Sequence, residues 1–256
     1  MDIKNLFFSY HAKEPFIAID ELKISEGKIT TIIGPNGCGK STLLALIAQQ
    51  LTYTAGEIYI EQQNISRLSR KELAKKLAIV YQQNEAPEQY TIRDLVKVGR
   101  YPYRKGLNSL SADDLTAIDK AIELTGLVAL QDQRLAELSG GQRQRAWIAL
   151  ALAQETQYLL LDEPTTYLDL HHQFEILDCI EKLNKNANMT IIMVLHDLNQ
   201  AFQYSDEVIV MSKGKIIKSG QPTVTMSEEL IKGIFGINVQ IIEDIEKNKH
   251  ILPLRK

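Results

Sequence analysis

Eight residues constrain this chain more than any other stretch: Gly34-Pro35-Asn36-Gly37-Cys38-Gly39-Lys40-Ser41 fits the pattern G-x-x-x-x-G-K-[ST]. The β-branched run from Lys28 to Ile33 leads into it. Ser41 to Leu51, rich in Leu and Ala and free of Gly and Pro, leads out of it as a helix. Strand, glycine loop and helix in that order make a phosphate cradle. Backbone N–H groups at a helix N-terminus wrap anionic oxygens, and glycines let the backbone approach where a Cβ would collide. In such a cradle Lys40 reaches the β and γ phosphates of a nucleotide, Ser41 ligates Mg²⁺ and Thr42 adds a phosphate contact. A chain of average composition meets the pattern by accident on the order of once in a hundred. A dinucleotide fingerprint is disfavoured, since Lys40, Ser41 and Thr42 follow Gly37-Cys38-Gly39 where a third glycine should fall.

A second segment completes the same chemistry. Tyr158-Leu159-Leu160-Leu161-Asp162-Glu163 is a hydrophobic strand ending in two carboxylates. An apolar run ending in Asp-Glu is weak evidence by itself; beside a phosphate loop it reads as the other half of the site. Asp162 then orients Mg²⁺ through water, and Glu163 is placed to accept a proton from, or orient, the water attacking the γ-phosphorus, which makes it the candidate catalytic base. Cys38 lies inside the loop, where a helix N-terminus and Lys40 favour the thiolate if the site is open.

Composition sets the outer limits. A net charge of −3 and a pI near 6.0 lack the basic balance of a protein that coats nucleic acid. The longest apolar runs fall far short of the ~18 to 20 residues that cross a bilayer. Met1-Asp2-Ile3-Lys4 has no signal-peptide pattern, which gives the expectation of a cytoplasmic protein. Cys38 and Cys179 are far apart with no metal-ligand spacing around either, and both read as free thiols.

Along the chain, residues 3 to 10 and 16 to 24 read as strands, and so do Gly56 to Ile60 and Ala78 to Tyr81; Lys71 to Lys76 reads as a helix. From about Asn84 to Gln154 the pattern is helical throughout, with helices expected at Thr91 to Val98, Ala112 to Thr125 and Gly141 to Ala153. Ser111-Ala112-Asp113-Asp114 fits a capping box before the second of these. Tyr158 to Asp162, Thr190 to Leu195 and Glu207 to Met211 are short continuous apolar runs, as buried parallel strands are. The expected fold is α/β, one domain over 1–256, with a core of about 1–83 and 155–256 and an inserted helical subdomain of about 84–154.

Leu138-Ser139-Gly140-Gly141-Gln142 narrows the class. Ser139 is a good N-cap, and two glycines open the first helical N–H groups to an anion at a cost of roughly 1 kcal/mol each relative to Ala. This string resembles the signature of the ATP-binding cassette (ABC) proteins, which are P-loop NTPases with a RecA-like core, an antiparallel β subdomain and an inserted α-helical subdomain. The resemblance implies that Ser139, Gly140, Gly141 and Gln142 meet the γ-phosphate of ATP held by a second copy of the chain. It also implies that Tyr10 stacks on adenine, that Gln82 is the Q-loop residue sharing Mg²⁺ with Ser41 and Asp162, that Asp169 belongs to the D-loop, and that His196 contacts the γ-phosphate. Taken singly, Tyr10 could be core, Gln82 a strand end, Asp169 a helix N-cap and His196 a core histidine. His171 and His172 follow the D-loop without a third ligand at a recognisable spacing, and read as interface or surface residues.

Stretches at 34–42, 99–103, 164–169 and 195–200, with the tail from Gly220, are similar to the subgroup that powers uptake of iron-siderophore, haem and cobalamin-type chelates. That likeness implies transmembrane permease subunits, an extracytoplasmic binding protein and a place on the cytoplasmic face of the membrane. It assigns residues about 83 to 105, including Arg100, Tyr101, Tyr103 and Arg104, to the groove that receives the permease. Tyr81 departs from the proline common in relatives before the Q-loop glutamine. Two other readings share the phosphate loop. A soluble ABC ATPase without a permease shares every ATP residue; a small-molecule kinase leaves Ser139 to Gln142 and His196 without purpose.

Overall fold

The structure is a computed structural model that describes residues 1–11, 15–104, 110–245 and 249–254. The chain divides into two compact units, Met1–Arg67 with Ile192–Lys256, and Leu68–Ile191.

The first unit opens with β1 (Asp2–Phe8), β2 (Ile17–Lys23) and β3 (Ile29–Ile33), then α1 (Lys40–Ile47), β4 (Ala55–Ile60) and the two-residue β5 (Gln63–Asn64). β2, β1, β4 and β5 form an antiparallel sheet in that order, with Ile3 opposite both Leu22 and Ile58. This is the antiparallel sheet the family resemblance implies. β3 differs in that all five of its residues are buried, and it lies parallel to a later strand of the unit.

The second unit starts with α2 (Arg70–Leu73) and β6 (Leu77–Val80). α3 (Ile92–Val98), α4 (Ala112–Leu124) and α5 (Gly140–Leu152) follow, then β7 (Tyr158–Leu161) and α6 (Leu170–Ala187). The three expected helices of this stretch are present, and Ser111 caps α4 in a box with Asp114. They are not continuous helix: single 3-10 turns at Tyr101–Tyr103, which contains Pro102 and follows Gly99, at Val128–Leu130, which follows Gly126, and at Leu135–Glu137 lie between them. β6 and β7 pair in parallel, Leu77 with Tyr158 and Val80 with Leu161. α6 keeps Ile176, Leu177, Ile180 and Leu183 on one buried stripe.

β8 (Thr190–Val194) leads back into the first unit, all five residues buried. There α7 (Leu198–Tyr204), β9 (Glu207–Ser212), β10 (Lys215–Gly220), α8 (Pro222–Thr225) and α9 (Glu228–Phe235) follow, and the antiparallel hairpin β11 (Val239–Glu243) and β12 (Lys249–Pro253) closes the chain. β9 is the parallel neighbour of β3, Ile33 opposite Val210. Among the described residues, no helix is long and apolar enough to cross a membrane.

Candidate functional site

In the first unit the loop from Gly34 to Gly39 springs from the end of β3 and turns into α1. Gly34 has φ +156°, and a Cβ there would meet the Met211 carbonyl oxygen at 2.2 Å. Gly39, at φ +107°, would put a Cβ 2.6 Å from Ile17 Cδ1. Both positions require glycine for conformation and for room. Gly37 has open space around it, and Asn36 beside it is exposed, so this side of the loop can meet a ligand. Pro35 accepts the Cys38 N–H through its carbonyl oxygen at 3.2 Å.

Lys40 is 5% exposed, and its Nζ donates to the carbonyl oxygens of Gly34 at 2.8 Å and Pro35 at 3.2 Å. An ammonium held by carbonyls of the loop it serves can exchange them for phosphate oxygens. α1 has no side-chain cap, whereas Ser139 caps α5 and Asp169 caps α6, so the first N–H groups of α1 suit an anion. Tyr10 is 54% exposed, its hydroxyl 3.0 Å from Thr42 Oγ1 and its ring packed edge-on against Phe8 and Phe16. That leaves an aromatic face beside the cradle. His196 is exposed just past β8; the N–H of Leu195 before it reaches the Ile32 carbonyl at 3.4 Å, placing His196 at the loop end of β3.

Cys38 does not fit the open-site expectation. Its side chain is 4% exposed, and burial raises the thiol above its ordinary value more than Lys40 lowers it. The cysteine acts as a small filler.

In the second unit the register of β6 and β7 assembles the acidic end. Val80 lies opposite Leu161, and the Asp162 N–H donates to the Val80 carbonyl at 2.9 Å. Two residues beyond that pair on each strand stand Gln82 and Glu163, and Gln82 Nε2 donates to Glu163 Oε2 at 2.6 Å. Thr166 Oγ1 donates to the same oxygen at 3.1 Å. Glu163 has φ +53°, a left-handed backbone uncommon outside glycine, as residues at functional turns often have. Tyr81 sits half-buried with its hydroxyl pushed up to about 12 by burial and by Asp162. Asn84, which sequence reading passed over, braces the turn: its Oδ1 accepts from Tyr81 N at 3.2 Å and its Nδ2 donates to Tyr81 O at 2.5 Å.

Ser139 caps α5 as expected, its Oγ accepting from Gln142 N at 3.3 Å while Gln142 Oε1 accepts from Ser139 N at 2.9 Å. The two glycines also have a packing reason that sequence could not show. A Cβ on Gly140 would lie 3.1 Å from Leu168 Cδ2, and one on Gly141 would lie 2.9 Å from His172 Cγ. Asp169 caps α6, its Oδ1 accepting from His172 N at 3.0 Å.

Arg100 corrects an expectation. It is 3% exposed, not part of a docking surface: its Nε donates to Asp114 Oδ1 at 2.8 Å, and its Nη1 donates to Ala153 O and Glu155 Oε2, each at 2.7 Å. Its guanidinium lies 4.0 Å from the Tyr103 ring centre. Tyr101 and Arg104 are exposed and border an open groove of about 350 Å³ with Tyr90, Asp94, Lys97 and Val98. Lys105 of the same assigned stretch lies outside the described residues.

The profile of the ABC transporter family matches residues 19–166. The chain is 45% identical over 237 residues to the iron(3+)-hydroxamate import ATP-binding protein of Bacillus subtilis (strain 168), covering 92% of this chain and 88% of that protein. It is 43% identical over 223 residues to the ferric enterobactin transport ATP-binding protein of Escherichia coli (strain K12), covering 87% and 82%. A solved inward-facing structure described as that of a metal-chelate type ABC transporter superposes with a TM-score of 0.85 at 28% identity, covering 99% of this chain and 96% of that one. A dimeric bacterial ABC transporter cassette superposes with a TM-score of 0.75 at 29% identity, covering 87% and 99%. A profile match over more than half the chain, in agreement with similarity along almost its whole length, leaves one assignment: the chain belongs to the ABC transporter family.

Proposed function

We propose that this chain is the ATP-hydrolysing subunit of an importer for iron-siderophore-type chelates, working as a pair of identical copies beneath a membrane permease. The observation that supports the transported class is the 45% and 43% identity to import proteins for two chemically different ferric chelates, a hydroxamate and enterobactin. Haem and cobalamin remain the neighbouring substrate classes implied by the sequence resemblance.

In this reading the loop of Gly34, Pro35, Asn36, Gly37, Cys38 and Gly39 wraps the phosphates, Lys40 supplies the point charge and Thr42 a further contact. Tyr10 carries the adenine on its exposed face. A hydroxyl, an amide carbonyl and a carboxylate are the oxygen donors a hard cation takes, so Ser41, Gln82 and Asp162 suit Mg²⁺. When bound, Mg²⁺ neutralises charge on the β and γ phosphates. Glu163, oriented by Gln82 and Thr166, accepts the proton of the attacking water. His196 donates to the γ-phosphate. Ser139, Gly140, Gly141 and Gln142 of the twin copy close over the nucleotide from the other side, with Asp169 next to that contact.

Closure favoured by ATP and reopening after hydrolysis give a two-state cycle whose motion the permease reads. The helical stretch of about 84–154 is the part that meets the permease, through the groove bordered by Tyr101 and Arg104. An extracytoplasmic binding protein delivers the chelate, and this subunit stays peripheral on the cytoplasmic face. The test is uptake of labelled ferric chelates by a deletion strain: loss of at least one, restored by the intact chain but not by Glu163→Gln, is expected. Unchanged uptake of every chelate in the panel contradicts the reading.

A further inference from the structure

The geometry points to a binding site for a borderline divalent metal ion, of the zinc, cobalt, nickel or iron(II) class, made by His171, His172 and Glu175 at the start of α6. One donor atom from each of these residues lies within 4.8 Å of the other two. His172 Nδ1 is 2.8 Å from Glu175 Oε2, and His171 Nε2 is 3.7 Å from Glu175 Oε1. Sequence reading found no third ligand for the two histidines; helical spacing supplies it, because Glu175 is four residues after His171 and three after His172.

The donors are already close to the separation an ion needs. Metal–ligand bonds of about 2.0–2.2 Å hold neighbouring donors about 3 to 3.5 Å apart. His171 has a side chain 80% exposed, so it can rotate inward without disturbing the core. Two imidazoles and one carboxylate leave positions for water and prefer borderline ions to Mg²⁺ or Ca²⁺, which take oxygen. Arg145 Nη1 holds Glu175 Oε2 at 2.9 Å, the outer hydrogen bond that fixes a ligating carboxylate, and leaves Oε1 to the ion. The arginine and the positive end of α6 both oppose a cation, so the site is suited to reversible loading, not to a permanent structural ion. His172 is also the side chain against which a Cβ on Gly141 would collide, so a loaded ion stands one side chain from the Ser139 to Gln142 turn.

The test uses the full chain without an affinity tag or nucleotide, titrated with Co²⁺ and followed by visible absorption. One equivalent is expected to bind, to be displaced by Zn²⁺ and to survive excess Mg²⁺. His171→Ala and Glu175→Gln should each weaken binding by at least about tenfold, with the circular dichroism of His171→Ala unchanged. The proposal is overturned by absence of Co²⁺ binding, by equal binding in His171→Ala, by displacement with Mg²⁺, or by sulfur-to-cobalt absorption showing that Cys38 or Cys179 holds the ion.

Discussion

Gln82 Nε2 donates to Glu163 Oε2 at 2.6 Å, a contact made by the parallel register of β6 and β7. Gln82 is exposed and its bond contributes little to stability, so its worth lies in where it holds the carboxylate. Gln82→Ala is expected to lower ATP turnover by about 10- to 100-fold, the scale of a misplaced catalytic group. The melting temperature should stay within a degree or two of the parent. Steady-state phosphate release and a thermal scan on the same samples check both halves.

Gly141→Ala should cost stability. An added methyl against His172 is overpacking, worth about 1 to 3 kcal/mol, set against about 1 kcal/mol of helix propensity gained from alanine. Thermal denaturation should show a net loss in the single variant, and His172→Ala in the same chain should recover most of it. An unchanged Gly141→Ala would leave a ligand as the sole reason for that glycine.

How far the sequence spoke depends on the scale of the interaction. The strand, glycine loop and helix around Gly34 to Lys40, the strand that runs up to Asp162-Glu163, the Ser139 cap and the Ser111 capping box each reside within a few consecutive residues, and each is present as a structural element. Contacts set by register or by helix docking were not legible. Nothing in the string of letters brings Gln82 to Glu163, which is 81 positions away. Arg100 reads as part of a basic-aromatic surface stretch because its partner Asp114 lies 14 positions on, in α4, so its burial was invisible. Glu175 was legible and missed: the i, i+1, i+4 spacing of His171, His172 and Glu175 was there once α6 was taken as a helix.

The Arg100 cluster makes an acid-limb prediction. The hydrogen bond from Arg100 draws the Asp114 carboxyl down to about 2. A folded-state value below the unfolded one means the contribution is complete above the ordinary carboxylate range and is lost as pH falls from about 4 toward 2. It is on the order of 2 kcal/mol at neutral pH. Asp114→Asn should flatten the stability profile across that window, measured by urea denaturation at several pH values. Arg100→Met leaves Asp114 buried without its partner and should cost about 3 to 5 kcal/mol at pH 7.

Thiol chemistry should be slow on the native fold. Burial raises the Cys38 thiol and pushes that of Cys179 up to about 11, so little thiolate forms near neutral pH. Maleimide followed by mass spectrometry is expected to leave both cysteines largely unlabelled in the native chain and to label both in denaturant. Rapid labelling of Cys38 in the native protein would contradict its role as a buried filler.

The pairing of two copies over ATP is the claim on which the transporter reading turns. Glu163→Gln removes the carboxylate proposed as base while leaving the loop from Gly34 to Gly39 and the Ser139 turn intact, and should cut turnover by about 10²- to 10⁴-fold. Light scattering of this variant saturated with MgATP is predicted to give a mass near twice 28.9 kDa. A chain that binds ATP under those conditions and remains a monomer would contradict the account.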